Sequence, residues 1–314
     1  MNRFVAELLL VTASTLLAGF AHAQSFRTYL SSSGSDANPC TVTQPCRLLP
    51  AALAAVANGG EVWMLDSANY NAGNVNVAKS VTIMAVPGAV GSIVAVGGMP
   101  AMTINTSVKV ALRNVVIVGN AVNPGTDGID VSFAPMLSIE DCVFANLPGT
   151  GIYALYGGAL VHVKNTTFRN IVSYAVWAEN GPVVNISHSQ LLSTGGIYSL
   201  GTNATVTTIN VTDTEIDGAP GSTAVGAYTI AAGAVANVFI TRSSIRNSGS
   251  GLNSQTSGAG TGNALITVSY STVTGNGYGV YQFGTGSAVK SLGNNHIVDN
   301  TNADVGSLTT ALLR

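Results

Sequence analysis

Charge is the scarcest property of this 314-residue chain: Lys, Arg, Asp and Glu together make up 8%, where about 25% is usual. Twelve basic and 14 acidic residues leave a net charge of −2, so the basic face that a nucleic-acid binder needs is missing. Aromatic residues are 6%, and there are only three cysteines and four histidines. Three of those histidines, His162, His188 and His296, are far apart in sequence. No zinc-type His/Cys spacing, Ser/His/Asp order or phosphate loop occurs. Beyond the N-terminus there is no apolar run approaching the roughly 20 residues of a membrane span. What the chain does have is 46% hydrophobic residues and 36 glycines. The hydrophobic fraction excludes a disordered chain. Few large side chains and many small ones favour one elongated all-β object.

Residues 1–23 read as a secretory signal peptide. Arg3 gives the basic start, Leu8 to Phe20 the apolar stretch, and Ala21-His22-Ala23 the small-x-small cleavage pattern before Gln24. The expected location is therefore extracellular or periplasmic, with no membrane span after cleavage. Export permits disulfides, and Cys40 and Cys46 in the CTVTQPC stretch are expected to close a short loop. Two free thiols are the alternative.

The decisive signal is internal repetition. β-Branched alternating runs recur about every 26 residues, marked by Ile83, Leu112, Ile139, Val163, Ile186, Val211, Ile240, Val268 and Leu292. Five residues after most of these comes another apolar mark, such as Ile117, Phe144, Phe168, Leu191 and Ile216. A small-apolar pair follows, such as Gly128-Ile129, Gly151-Ile152, Ala175-Val176 and Gly196-Ile197. Three short strands per repeat predict a solenoid of parallel strands with about eight or nine coils. Residues about two dozen positions apart then lie over one another at ~4.8 Å. A further inner column, Val115, Cys142, Thr166, Ser189, Thr214, Ser243, Ser271 and Asn295, is mostly hydroxylic, which makes Cys142 a small core residue. Asn146, Asn170 and Asn247 recur at a bend, where such side chains pair with backbone and with each other.

The stretch Tyr29 to Cys40 (YLSSSGSDANPC), the stretch Pro45 to Leu53 and the run Gly59 to Leu65 resemble the opening of the pectin-lyase-like superfamily of right-handed parallel β-helices. The fold class implied is an all-β, single-stranded right-handed parallel β-helix with an N-terminal capping helix. Residues 48–58 supply that helix by their Leu/Ala spacing, and Gly59-Gly60 is expected to stop it. The division expected is a cap with first strands over 24–78, β-helix repeats over 79–300 and a C-terminal cap or tail over 301–314. The superfamily hosts lyases, hydrolases, epimerases and adhesins, so the resemblance speaks for fold more than for activity.

Two outward constellations are candidates for chemistry. After each small-apolar pair the next residue should face solvent, which lines up Asp130, Tyr153, Trp177, Tyr198 and, further along, Tyr281, with Glu179 in the neighbouring column. Aromatic faces in a row can stack on sugar rings with the acids as a hydrogen-bonding rim. The alternatives are a self-stacked ladder, or an apolar face covered by a partner chain, through which an oligomer could form. The second constellation is Asp213, Glu215 and Asp217, expected on one outward strand with Arg242 and Arg246 one coil further on. Clustered carboxylates can hold Ca²⁺, and an arginine beside them is similar to the arrangement of the superfamily's lyases. The alternative is stacked ion pairs, Asp213 with Arg242 and Asp217 with Arg246. Arg113, Glu140 and Lys164 form a third column, read as an ion-pair ladder. The expected function is binding of a polysaccharide or cell-surface glycan through the aromatic column. The alternatives are a polysaccharide lyase or glycoside hydrolase, and a structural, adhesin-like protein.

Overall fold

The computed structural model describes residues 24–310, apart from residues 106, 156 and 258–261. The expected signal segment and residues 311–314 lie outside the described residues. Each circuit of the chain lays down three short strands in three different sheets. Sheet A has 12 strands, from Ser25–Leu30 to Leu308–Thr310. Sheet B has 10, from Ala68–Asn69 to His296–Ile297, and sheet C has 9, from Val75–Asn76 to Tyr278–Phe283. Strand pairing is parallel from coil to coil, so the backbone groups that no single coil could satisfy find partners in the next. The result is an all-β parallel solenoid of about nine turns, with one short helix near the N-terminus.

The apolar columns stack in the expected register. On sheet A, Ile83 pairs with Leu112, Leu112 with Ile139, Ile139 with Val163, and Val163 with Ile186. On sheet B, Ile117, Phe144, Phe168 and Leu191 follow one another in register. On sheet C, Ile129, Ile152, Val176, Ile197, Val225, Leu252 and Val280 do the same. These residues are fully buried. Alternation sends one side chain inward and the next outward, so the core is a continuous column along the axis. At the far end the expected Leu292 is displaced by one: Ser291 stands opposite Val268 and is buried. The alternation from Val289 puts Ser291 inside.

The corners between sheets A and B have a single device. Asn114, Asp141, Asn165, His188, Asp213, Arg242 and Tyr270 occupy the left-handed region, with φ between 48° and 56°. This is a routine conformation for Asn and Asp and a costly one for larger side chains. The next residue in each coil points inward and forms the hydroxylic column. Val115 and Cys142 carry no hydroxyl, but from Thr166 to Ser271 the hydroxyl donates to the carbonyl two residues back and accepts the backbone N–H of its equivalent one coil earlier. Thr166 N–H donates to Ser189 Oγ at 3.2 Å, Thr214 N–H to Ser243 Oγ at 3.2 Å, and Ser243 N–H to Ser271 Oγ at 3.1 Å. The corners therefore satisfy in the interior the amides that the bend removes from the sheets. Cys142 stands in this column, buried, with its thiol pushed up to about 12 by burial, which makes it a core residue. Asn146, Asn170 and Asn247 are also left-handed, and Asn170 Nδ2 donates to Asn146 Oδ1 at 3.1 Å.

The N-terminal cap departs from expectation in two ways. The helix spans only Leu49–Ala55, and Val56 is already extended with ψ 143° while its N–H bonds the Ala52 carbonyl. The stop is the buried, β-branched Val56 turning into the core, so Gly59-Gly60 does not end the helix. Both glycines lie inside the strand Val56–Met64, where Gly59 at φ 82° sits beside a shift in register. The first strand is also earlier than expected: Ser25–Leu30 pairs with Val56–Met64 and covers the sheet edge with the helix. Cys40 and Cys46 are bridged, with Cα atoms 4.6 Å apart. Asp66 ties the cap together by accepting from Ser32 N, Ser31 Oγ, Ser32 Oγ and the hydroxyl of buried Tyr70. At the other end, Leu308–Thr310 adds a last strand to sheet A and stays exposed at all three positions.

Candidate functional site

The outer face of sheet C carries the aromatic column. In the strand Ile152–Ala154, Ile152 and Ala154 point inward, which forces Tyr153 outward. The same alternation exposes Asp130 in Ile129–Val131 and Trp177 in Val176–Glu179. Register places Asp130 beside Tyr153, Tyr153 beside Trp177, and Trp177 beside Tyr198.

The rings do not stand as three parallel plates. Tyr153 and Trp177 are 5.5 Å apart and tilted by 59°, and Trp177 meets Tyr198 edge-on at 5.3 Å. Tyr174, from the turn before Val176, stacks on Tyr198 at 4.7 Å and meets Trp177 edge-on at 5.5 Å. Periodicity could not find Tyr174, because turn residues have no fixed place in the repeat. Beyond Tyr198 the column stops at Gly226, where a Cβ would come within 2.6 Å of the Tyr198 ring. The ring instead approaches Tyr228, 6.3 Å away. Tyr281 shares the column by register but lies beyond Gly226 and Asn253 and pairs with Tyr278, so it is not part of the cluster. A shallow groove of about 320 Å³ runs beside Tyr174, Tyr198, Tyr228, Asn253 and Gln255.

Carboxylates collect at one end of this cluster. Tyr153 donates its hydroxyl hydrogen to Glu179 Oε2 at 3.0 Å. Burial, then the charge and hydrogen bond of Glu179, then the charges of Asp130 and Asp127, hold the Tyr153 phenol well above its ordinary range. Asp127, which the repeat pattern did not single out, accepts the Thr150 N–H. Asp130 is driven up to about 6, first by burial and then by the charge of Asp127. Asp130 Oδ1 and Trp177 Nε1 are buried with no hydrogen-bond partner. Buried polar atoms are rarely left so, and here both belong to residues on the outer face of sheet C.

The acid strip is arranged otherwise. Only Glu215 and Asp217 lie on the strand Glu215–Gly218; Asp213 sits at the left-handed corner before it, at φ 50°. The expectation of three acids alternating on one strand is therefore corrected, because the corner residue must leave the strand geometry. Arg242 grips Asp213 through two bonds of 2.8 Å, and Arg246 holds both Asp217, at 3.1 Å, and Glu215. Each carboxylate thus already holds a guanidinium, an arrangement that does not suit a Ca²⁺ ion. Among the described residues no group of three His, Cys, Asp or Glu side chains converges for a metal. Arg113 bonds Glu140 at 3.3 Å, with Lys164 next in register. A cavity of about 700 Å³ lies at the N-terminal cap beside Asp36, Pro39, Ala51 and Ala54, away from these acids. There Asp36 is used structurally, accepting the N–H groups of Arg47 and Leu48.

The family model described as "Right handed beta helix region" matches residues 62–218, half of the chain. The chain belongs to that family, and its fold is the right-handed parallel β-helix of the pectin-lyase-like type. No curated protein matches the sequence. Among solved structures it is similar to the pectate lyase Pel9A, with 14% identity and a TM-score of 0.58 over 91% of this chain and 77% of that one. It is similar to XylC in complex with xylose, at 8% identity and TM-score 0.58, covering 86% and 67%. A rhamnogalacturonan lyase aligns at 13% identity and TM-score 0.55, covering 84% and 72%. At such identities the likeness is one of fold.

Proposed function

We propose that the protein is a secreted, polysaccharide-active enzyme that cleaves glycosidic bonds on the outer face of sheet C. The observation that carries this reading is Asp130: a carboxyl with one oxygen buried and unpartnered, its pKa raised to about 6, on the same face as Tyr153, Trp177 and Tyr198. Below that pH Asp130 keeps a proton that it can give to a leaving sugar oxygen. Glu179, oriented by the Tyr153 hydroxyl, is the second carboxylate of the pair that glycoside cleavage uses. The aromatic cluster supplies apolar contact to sugar rings. That the fold is shared with a pectate lyase and a rhamnogalacturonan lyase supports a glycan as substrate. The disulfide fits an oxidising compartment outside the cytoplasm.

A second reading, recognition without cleavage, is favoured by the packing of the rings on one another, tilted or edge-on at Trp177, which leaves a shallow face in place of a walled cleft. One experiment separates the two. The parent protein is offered a polysaccharide panel while reducing ends, unsaturated products and retention are followed. Cleavage is expected at pH below about 6, lost in Asp130→Asn, with retention weakened in Trp177→Ala. Retention that depends on Trp177 with no product from any polymer supports the second reading. No retention and no product rejects both.

A further inference from the structure

We propose that the glycan received by sheet C is uncharged, so that polymers of uronic acid are excluded from this face. The inference rests on the polysaccharide reading above and names the substrate class of the same site. Among the described residues, no lysine or arginine lies on any sheet C strand. The turns flanking those strands from residue 119 onward carry none either. The cations fall elsewhere. Lys109, Arg113, Lys164 and Lys290 lie on sheet A and Arg169 on sheet B, while Arg242 and Arg246 are committed to the acid strip. Among the described residues, the charged groups that act on the Tyr153 phenol in this cluster are all acidic: Asp127, Asp130 and Glu179.

A polyuronate lying along the column would bring its carboxylates against these acid side chains, Asp130 adding its charge above about pH 6, with no cation to answer them. Like charges so placed penalise the wrong ligand more than they cost the right one. Neutral sugars meet the same surface well, through apolar contact with Tyr153, Trp177 and Tyr198 and hydroxyls facing the carboxyls of Asp130 and Glu179. A neutral sugar with neither a carboxylate nor its ester also lacks the group that acidifies the neighbouring C–H for β-elimination, so cleavage of such a sugar here is hydrolytic. The bond from C1 to the leaving oxygen breaks and one from C1 to the water oxygen forms. Asp130 protonates the leaving oxygen, and the water proton passes to Glu179.

The test uses pairs of polymers on a common backbone that differ in charge: xylan against glucuronoxylan, whose side chains add glucuronic acid, and methyl-esterified against de-esterified polygalacturonate. Affinity is measured at about 10 mM salt, where the screening length is ~30 Å, and again at about 0.15 M, where it is ~8 Å. In every pair that binds, the neutral member is expected to bind at least tenfold more tightly at low salt. The gap should narrow at high salt and in the double variant Asp130→Asn/Glu179→Gln. Equal or tighter binding of the charged member, in a manner that Trp177→Ala abolishes, overturns the exclusion and leaves the polysaccharide reading standing. Failure of the parent protein to bind any polymer overturns both.

Discussion

Ser243 offers a clean test of the idea that inward hydroxyls close the corners of the solenoid. Its Oγ accepts the Thr214 N–H at 3.2 Å and donates to the Thr241 carbonyl at 2.9 Å, in a site where Ser243 is 4% and Thr214 2% exposed. In Ser243→Ala the Thr241 carbonyl keeps a partner, because it also accepts the Asp213 N–H at 3.1 Å. The Thr214 N–H keeps none. A single orphaned buried donor costs about 1–3 kcal/mol, and the small void left by one oxygen adds little, so a loss of about 1–2 kcal/mol is expected. Urea unfolding reads this as a lower midpoint with unchanged slope. Hydrogen exchange at the Thr214 amide should accelerate by a factor of roughly 5–30. The control is Ser244→Ala, on the outward side of the next strand, with an expected change within about 0.5 kcal/mol. If Ser243→Ala unfolds at the parent's midpoint and Thr214 exchanges at the parent's rate, the corner hydroxyls do not stabilise the coils in the way argued.

Two further outcomes follow from the same interior. Phe168 is fully buried and stacks on Phe144 at 4.8 Å, so Phe168→Ala is expected to cost about 3–5 kcal/mol, read as a large fall in the unfolding midpoint; a loss under about 1 kcal/mol contradicts a close-packed core. Asp66 is pushed up by burial but pulled down further by Tyr70, the Ser32 N–H and the Ser31 and Ser32 hydroxyls, to about 2 from an ordinary 3.8. Its stabilising contribution is therefore full above the ordinary value and disappears as pH falls through about 2. Asp66→Asn should destabilise the protein at neutral pH by about 1–2 kcal/mol after allowance for solvent screening and flatten the acid limb of the stability profile. Parallel acid limbs for variant and parent, measured by unfolding between pH 6 and pH 2, would refute that assignment.

Sequence alone determined the coil. The columns from Ile83 to Val268 and from Ile129 to Val280 stack as their spacing demands, because a repeat copied over about nine turns averages out local error. Burial of the same face in every coil also leaves one register open to it. The disulfide, the inward place of Cys142 and the outward place of Tyr153, Trp177 and Tyr198 were legible for that reason. What escaped lay where the repeat lapses. Asp213 belongs to a left-handed corner, and the alternation rule cannot see a corner. Tyr174 comes from a turn, yet stacks on Tyr198. The helix ends at Val56 because that side chain is wanted in the core. Only the tertiary structure decided that Trp177 meets Tyr198 edge-on, and that Asp130 and Trp177 are left with unpartnered buried atoms. Ring angles and buried polar atoms depend on neighbours a full coil away in space, and a one-dimensional period places a residue on a face without saying what it meets there.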